Sequence, residues 1–344
     1  MRNLLTRSLS SVVLVVLLAV VMVTMSVMSP HFLGVSNLLS ALQLAAPIGI
    51  IAIGMTFVIL IGGIDLSVGS MFALTSITTG MLCSAGLWLP LAVLVALVVG
   101  GLCGYINGYL VAALGLPAIV VTIATMAVYA GIALAISRGS SYPIPPDLNL
   151  LGQGSIAGIP TPVIAFLLIF VIAHIALSAT AFGDRIYALG TNATAVRYAA
   201  QRARAYALST YILSGVLTAV AAVIYSVMVS SAKSNFGVGY ELAAVTIVVV
   251  GGAALTGGRG TLWGSLLATV VIAFLQNGLS ISFVPTEIQT MFVGGALILT
   301  AVIYRWLPQI LARPAPPTSP SGRSEDHSGQ RGPAVETVGK DNTP

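Results

Sequence analysis

Ten stretches of nearly uninterrupted apolar sequence run through the chain, at about 10–28, 38–61, 66–83, 90–113, 117–136, 162–178, 205–228, 240–256, 261–283 and 287–307. A helix needs about 20 such residues to cross lipid, because the hydrocarbon offers no water to unpaired backbone groups. The pattern therefore predicts an all-α, polytopic membrane protein with about ten transmembrane helices, some of them broken by glycines. Two closely spaced pairs, 38–61 with 66–83 and 240–256 with 261–283, are where re-entrant or broken helices are expected. The first run follows Arg2 and Arg7, as a signal peptide would. Its apolar part, about Leu9 to Met28, is longer than the roughly 7–15 residues of a signal core, and no small-x-small cleavage site follows, so it reads as a retained span.

Composition agrees. The 344 residues are 57% hydrophobic and 7% charged, against roughly 25% charged in soluble domains. Such a chain cannot cover its own apolar surface in water, which excludes a soluble enzyme, a nucleic-acid binder and a disordered scaffold. The net charge of +5 is distributed as topology demands. With the N-terminus inside, the cytoplasmic connections carry Arg2, Arg7, Arg185, Arg197, Arg202, Arg204, Arg259, Arg305 and Arg313. The opposite side has only Arg138 and Lys233. That asymmetry is the positive-inside pattern, and it places both termini in the cytoplasm. Residues 1–313 form the transmembrane domain; 314–344, with six Pro, four Gly and no aromatic residue, reads as a disordered cytoplasmic tail. Cys83 and Cys103 sit inside apolar runs, where a thiol behaves as a small hydrophobe. They form neither a disulfide nor a metal site, and no catalytic constellation is present.

Several residues stand out against this apolar background. Gly100, Gly104 and Gly108 line one helical face, which permits close helix–helix approach within the chain or at a subunit interface. The run Gly62-Gly63-Ile64-Asp65-Leu66-Ser67-Val68-Gly69-Ser70 breaks the second span and puts Asp65 at an expected helix N-cap. The run 257–265, with Gly257, Gly258, Gly264 and Ser265, echoes its spacing. Paired breaks in two halves of a membrane chain point to a transport path. Asn107 and Asn277 each precede a glycine at an apparent span end, where capping competes with a role in hydrogen bonding a solute. The inner connection 179–204 is long, basic and partly helical, with Asp184, Thr191 and Asn192 as helix caps; it suits membrane anchoring or a docking surface for a soluble partner.

Mid-membrane acids and bases are scarce. Only Asp65, Glu241 and His174 qualify, which argues against proton-coupled transport and against a charged selectivity filter. A phosphate-binding loop ending in Gly-Lys-Ser/Thr needs a lysine. The two lysines, Lys233 and Lys340, have no such context, so any ATP hydrolysis driving transport belongs to a separate subunit.

Together these motifs resemble the permease subunit of bacterial ABC importers for monosaccharides, of the ribose, xylose, arabinose and galactose type. The resemblance rests on GGIDLSVGSMFAL (62–74), YALGTNATAVRYA (187–199), VVVGGAALTGGRGTLWGSLLAT (248–269) and LQNGL (275–279), in that order over about residues 35–307. It implies a subunit of the bacterial cytoplasmic membrane that pairs with a second permease, identical or paralogous. It also implies a cytoplasmic ATPase that binds ATP and Mg, and an extracytoplasmic sugar-binding protein; the chain itself needs no cofactor. In that family the 187–204 region contacts the ATPase, so Gly190, Asn192, Ala195 and Arg197 carry over as coupling residues, with Arg202 and Arg204 extending the basic loop. The family continues with Ser-Gly shortly after that arginine, where this chain has Ala199 and Ala200. Gly62, Gly63, Asp65, Gly69, Gly257, Gly258 and Gly264, with Asn107 and Asn277, are the expected translocation-path or helix-break residues. Competing readings are a permease for nucleosides or branched-chain amino acids, and a facilitator or membrane scaffold that needs no ATPase.

Overall fold

The computed structural model describes residues 2–145, 149–198 and 202–311; the tail read as disordered, 314–344, lies outside them. By internal contacts the chain divides into Met1–Tyr304 and Arg305–Pro344, and the packing below is that of the first unit. In chain order the helices are α1 (Arg2–Met28), α2 (Val35–Leu60), α3 (Val68–Ser84), α4 (Leu89–Gly108), α5 (Ala118–Ser137), α6 (Asn149–Gly152) and α7 (Thr161–Ser178). They continue with α8 (Ala181–Thr191), α9 (Ala193–Tyr198), α10 (Ala203–Met228), α11 (Tyr240–Val250), α12 (Leu262–Ile281) and α13 (Thr286–Leu311). The all-α class is as the sequence predicts. The only strands among the described residues are two-residue pairs in the connections. One is β1 (Tyr142–Pro143) against β4 (Ser231–Ala232), and the other is β2 (Ser155–Ile156) against β3 (Ile159–Pro160), both antiparallel.

Among the described residues, six helices are long and apolar enough to cross a membrane: α2, α4 with the π turn Tyr109–Ala113 that continues it, α5, α7, α10 and α12. Shorter apolar helices cover Val12–Met28, α3 and α11. The β-branched run Val245–Val250 is helical despite its strand propensity. Within a lipid-spanning bundle a helix satisfies its own backbone, and that requirement outweighs propensity.

The span read at 240–256 is shorter than its hydropathy suggests. Helix α11 has 11 residues, about 16 Å at 1.5 Å per residue, or half the hydrocarbon thickness. Gly239 and Gly252, with φ of +87° and +91°, bound it. Immediately after it, Gly251 packs so tightly on Gly264 of α12 that a Cβ on either would overlap the other's backbone. The approach to α11 is made of turns. Ala232 lies against Gly80 of α3, and Gly237 lies against Gly69 of the same helix. Those glycines are eleven residues apart, so 232–237 runs about 16 Å alongside α3 before α11 begins. This pair of apolar runs is a broken element, as its spacing suggested.

Helix α10 is the packing centre, lying against α2, α3 and α4. The glycine stripe of α4 makes one of these contacts. A Cβ on Gly100 would stand 2.5 Å from the Gly215 carbonyl oxygen, one on Gly104 would overlap the Tyr211 carbonyl, and one on Gly108 would lie 2.8 Å from Leu208. Backbone meets backbone here, so dispersion and close approach replace the hydrophobic drive that lipid does not supply. Hydroxyl pairs add cross-links at Thr56–Ser265 (2.8 Å) and Ser76–Ser226 (2.7 Å). Each such bond is worth about 0.6 kcal/mol in a membrane. Outward-facing Leu94, Val98 and Leu102 of α4, and Val120, Ile123 and Leu134 of α5, are exposed on the bundle surface. In water a continuous stripe of that kind would aggregate; against lipid it is solvated. Cys83 and Cys103 are free and buried, as expected.

Candidate functional site

Three glycine-bearing segments that are far apart in sequence meet at one point. Helix α2 ends at Leu60, and Gly62, at φ +80°, turns the chain away while its N–H bonds back to the Ile59 carbonyl oxygen at 2.9 Å. The loop between α11 and α12 brings Gly257 and Gly258, both with positive φ, against this turn. A Cβ on Gly257 would stand 2.7 Å from the Gly62 nitrogen, and the Gly258 N–H donates to the Leu60 carbonyl oxygen at 2.8 Å. Gly190, near the end of α8, closes the junction. A Cβ there would overlap both the Leu60 carbonyl and the Gly258 nitrogen. The two glycine breaks that echo each other in sequence therefore touch, and the basic inner loop rests on both. Tyr187 reinforces the contact by donating its hydroxyl to the Gly260 carbonyl oxygen at 2.8 Å.

The remaining predicted residues are placed as follows. Asn192 caps α9, its Oδ1 accepting the Ala195 N–H at 2.9 Å, and both residues are exposed. Thr191 and Asp184 do not cap: Thr191 donates to the Tyr187 carbonyl oxygen, and Asp184 sits in the first turn of α8, which Thr180 caps. Arg197 lies on α9. Arg202 is exposed at the start of α10. Arg204 lines a cavity of about 240 Å³ together with Gly62, Gly63, Val111, Leu189 and Tyr211. That cavity joins the α2–α3 linker to the π turn, the inner loop and the first turns of α10. The guanidinium of Arg185 lies 5.0 Å over the Tyr206 ring, which ties α8 to α10.

Gly69 and Gly264 stand away from the junction. Gly264 is the partner of Gly251, and a Cβ on Gly69 would meet the Glu241 carboxylate and lie 2.5 Å from the Gly237 carbonyl oxygen. His174 stacks on Phe170 at 5.8 Å and meets Trp263 edge-on at 5.7 Å.

Asp65 and the two asparagines differ from the expectation of caps. Asp65 is fully buried, and α3 starts only at Val68, so the carboxylate serves the linker. Its Oδ1 accepts the Ser67 N–H at 3.1 Å, the Ser67 hydroxyl at 2.7 Å and the Asn107 amide at 3.3 Å. Asn107 also donates to Ser67 Oγ at 2.8 Å and accepts the Tyr129 hydroxyl at 3.3 Å. It is thus a tertiary cross-link between α4, α5 and the linker. Asn277 pairs reciprocally with Asn37, at 2.9 and 3.1 Å, well within α12. Tyr129, Tyr211 and Ser214, which complete the surroundings of Asp65, were not singled out from sequence. The available signal was faint: polar side chains three residues apart on one face of an otherwise apolar helix.

Asn107→Leu is expected to lower the thermal midpoint of the purified protein. The change removes the amide that bridges Asp65 and Ser67 and leaves both short of a donor, at a cost of about 1–3 kcal/mol. A thermal melt in detergent with an unchanged midpoint would show that the bridge carries no stability.

The family described as branched-chain amino acid transport system / permease component matches residues 37–301. The ribose import permease of Haemophilus influenzae is 37% identical over 299 residues, covering 86% of this chain and 91% of that protein. The ribose import permease of Bacillus subtilis is 37% identical over 291 residues, covering 83% and 89%. An autoinducer 2 import system permease of Salmonella typhimurium is 33% identical over 298 residues, covering 85% and 90%. No solved structure matches the chain.

Proposed function

The chain belongs to the branched-chain amino acid transport system / permease component family, and on that premise we propose that it is the membrane-spanning subunit of an ATP-driven importer for a monosaccharide. Near full-length similarity to ribose import permeases, at 37% identity, supports a sugar over the amino acids in the family's description. The chain forms the translocation path with a second permease subunit. An extracytoplasmic binding protein delivers the sugar, and a cytoplasmic ATPase binds ATP and Mg. The subunit sits in the bacterial cytoplasmic membrane with both termini inside, in keeping with its arginine distribution.

The observation that carries the mechanism is the backbone contact of Gly190 with Leu60 and Gly258. ATP-driven closure of the ATPase pair displaces α8 and α9. No compressible side chain lies between Gly190 and the glycine breaks, so the displacement passes directly to the end of α2 and to the α11–α12 loop. Those elements lead into the helices packed around α10. Affinity for sugar resides in the binding protein, and the path itself needs only to open alternately to each side.

The test is purification of the tagged full-length chain from its native host in mild detergent, with mass spectrometry of what accompanies it. The co-purified complex is then reconstituted with the binding protein and assayed for ATP-dependent uptake of labelled ribose and other pentoses. Recovery of an ATPase, and sugar uptake that stops without ATP, is the expected result. Recovery of the chain alone under several gentle conditions, with sugar flux independent of ATP, identifies a facilitator and overturns the proposal.

A further inference from the structure

Three oxygen atoms near the α2–α3 linker are buried and unpartnered: Asp65 Oδ2, Tyr211 OH and Ser214 Oγ. Their residues are each 0% exposed. A buried polar group left without a partner costs about 1–3 kcal/mol, and a buried charge costs more. Three together therefore call for an explanation. They belong to one cluster. Ser214 stands beside the Asp65 carboxylate without completing a hydrogen bond to Oδ2. Tyr211 lies one helical turn before Ser214 on α10 and directs its hydroxyl toward Gly63, where a Cβ would stand 2.6 Å away. The Val58 carbonyl oxygen borders the same point, at 3.2 Å.

Around Asp65, the groups on the linker, α4 and α10 are the Ser67 hydroxyl, the Asn107 amide and the Ser214 hydroxyl, all neutral. The charged group nearby is Arg204, which lines the cavity that Gly63 and Tyr211 share. Oδ1 already holds three donors, while Oδ2 holds none. When ionised, Asp65 gives the site one negative charge beside a set of oxygen donors, in the linker between the C-terminal end of α2, whose dipole favours a cation, and the N-terminal end of α3, whose dipole favours the carboxylate. A monovalent cation balances that charge. A divalent ion would leave a net positive charge buried, and calcium sites use several carboxylates. Unwound backbone beside a helix C-terminus is also where sodium is held in other membrane folds.

We propose that Asp65, Tyr211 and Ser214, with the Val58 carbonyl, bind one sodium ion between the α2–α3 linker and α10. The ion ties the linker that leaves the glycine junction to the central helix of the bundle. This inference goes beyond the transport reading and does not depend on it.

The experiment is a thermal melt of the purified full-length protein in detergent. Reaction of the buried thiols Cys83 and Cys103 with a fluorogenic maleimide follows unfolding. Sodium chloride is compared with choline chloride and potassium chloride at matched pH and about 0.15 M ionic strength. The expected result is a midpoint about 3 °C or more higher in sodium than in choline, saturating with concentration. Asp65→Asn and Ser214→Ala should both lose the difference, and Ser231→Ala, a half-buried change in the β4 connection away from Asp65, should keep it. If Asp65→Asn does not fold, Ser214→Ala decides. Equal midpoints in sodium and choline for the unsubstituted protein overturn the site, as water or a proton would then fill it. A sodium effect that survives in both variants overturns it as well, by placing the ion elsewhere. Because the melt needs neither ATPase nor sugar, failure of the importer reading leaves this result interpretable.

Discussion

Uptake is expected to fall to background in both Gly190→Val and Arg197→Glu, with the ATPase still bound to the first variant and lost from the second. Gly190 is enclosed by backbone, since even a Cβ overlaps the Leu60 carbonyl and the Gly258 nitrogen. Valine must push α8 away from α2 and stretch the 2.8 Å bond between Gly258 and Leu60. Overpacking of this kind costs about 1–3 kcal/mol, enough to shift a local contact but not to unfold the bundle. The variant is expected to insert, to retain its ATPase and to hydrolyse ATP, while sugar uptake drops at least tenfold. Arg197→Glu changes the charge of α9 by two, so on the proposed reading its effect is on docking of the ATPase. The check is a paired measurement of co-purified ATPase and ATP-dependent uptake in vesicles. Gly131→Val serves as control, because nothing lies within 4 Å of a Cβ at that position. Normal uptake by Gly190→Val would show that force does not pass through this contact.

Gly104→Val, by contrast, is expected to remove the folded protein altogether. The Cβ overlaps the Tyr211 carbonyl and would lie 3.0 Å from the Ile212 Cα, so α4 and α10 must separate along their whole contact. Neighbouring Gly100 and Gly108 pack on Gly215 and Leu208 of the same helix, and they lose their contacts as well. With several turns displaced, the cost exceeds the roughly 1–3 kcal/mol of a single overpacked side chain. The main peak in size-exclusion chromatography should vanish into aggregate, and the thiol of Cys103 should react at once. Gly101→Val, one position round the helix, meets only a Val216 methyl at 3.3 Å and should be tolerated. A monodisperse, thiol-protected Gly104→Val protein would refute the close-packing account.

The fold class, the order of the spans and the identity of the glycine motifs were legible in the chain because each is a local property. Apolar run length reports lipid crossing, and glycine pairs report breaks. That Gly62, Gly190 and Gly257 share one contact was not legible, since nothing local encodes which backbone each glycine admits. The two Asn-Gly pairs show the same limit more sharply. Asn107-Gly108 and Asn277-Gly278 read as helix ends, yet both lie within helical structure. Gly108 and Gly278 are small because Leu208 and Met25 pack on them, and each asparagine bonds across to another element. A glycine that stops a helix and one that receives a neighbour look alike in sequence. Hydropathy likewise could not show that the 240–256 run ends its helix at Val250, because apolar residues continue through the turn that follows.

The broken approach to α11 has a consequence for hydration. Segment 233–239 leads to α11 as turns, with Lys233, Asn235, Val238 and Gly239 exposed on this subunit. Acyl chains cannot solvate non-helical backbone at that depth, so its open side must meet water or another polypeptide. The bundle therefore has a lipid-facing flank, where α4 and α5 present leucine, valine and isoleucine, and another where unwound chain meets water or a second subunit. A spin label at Val238 should sense aqueous relaxation agents, whereas one at Val120 should sense oxygen dissolved in lipid. The boundary between those two signals would trace the waterline of the subunit.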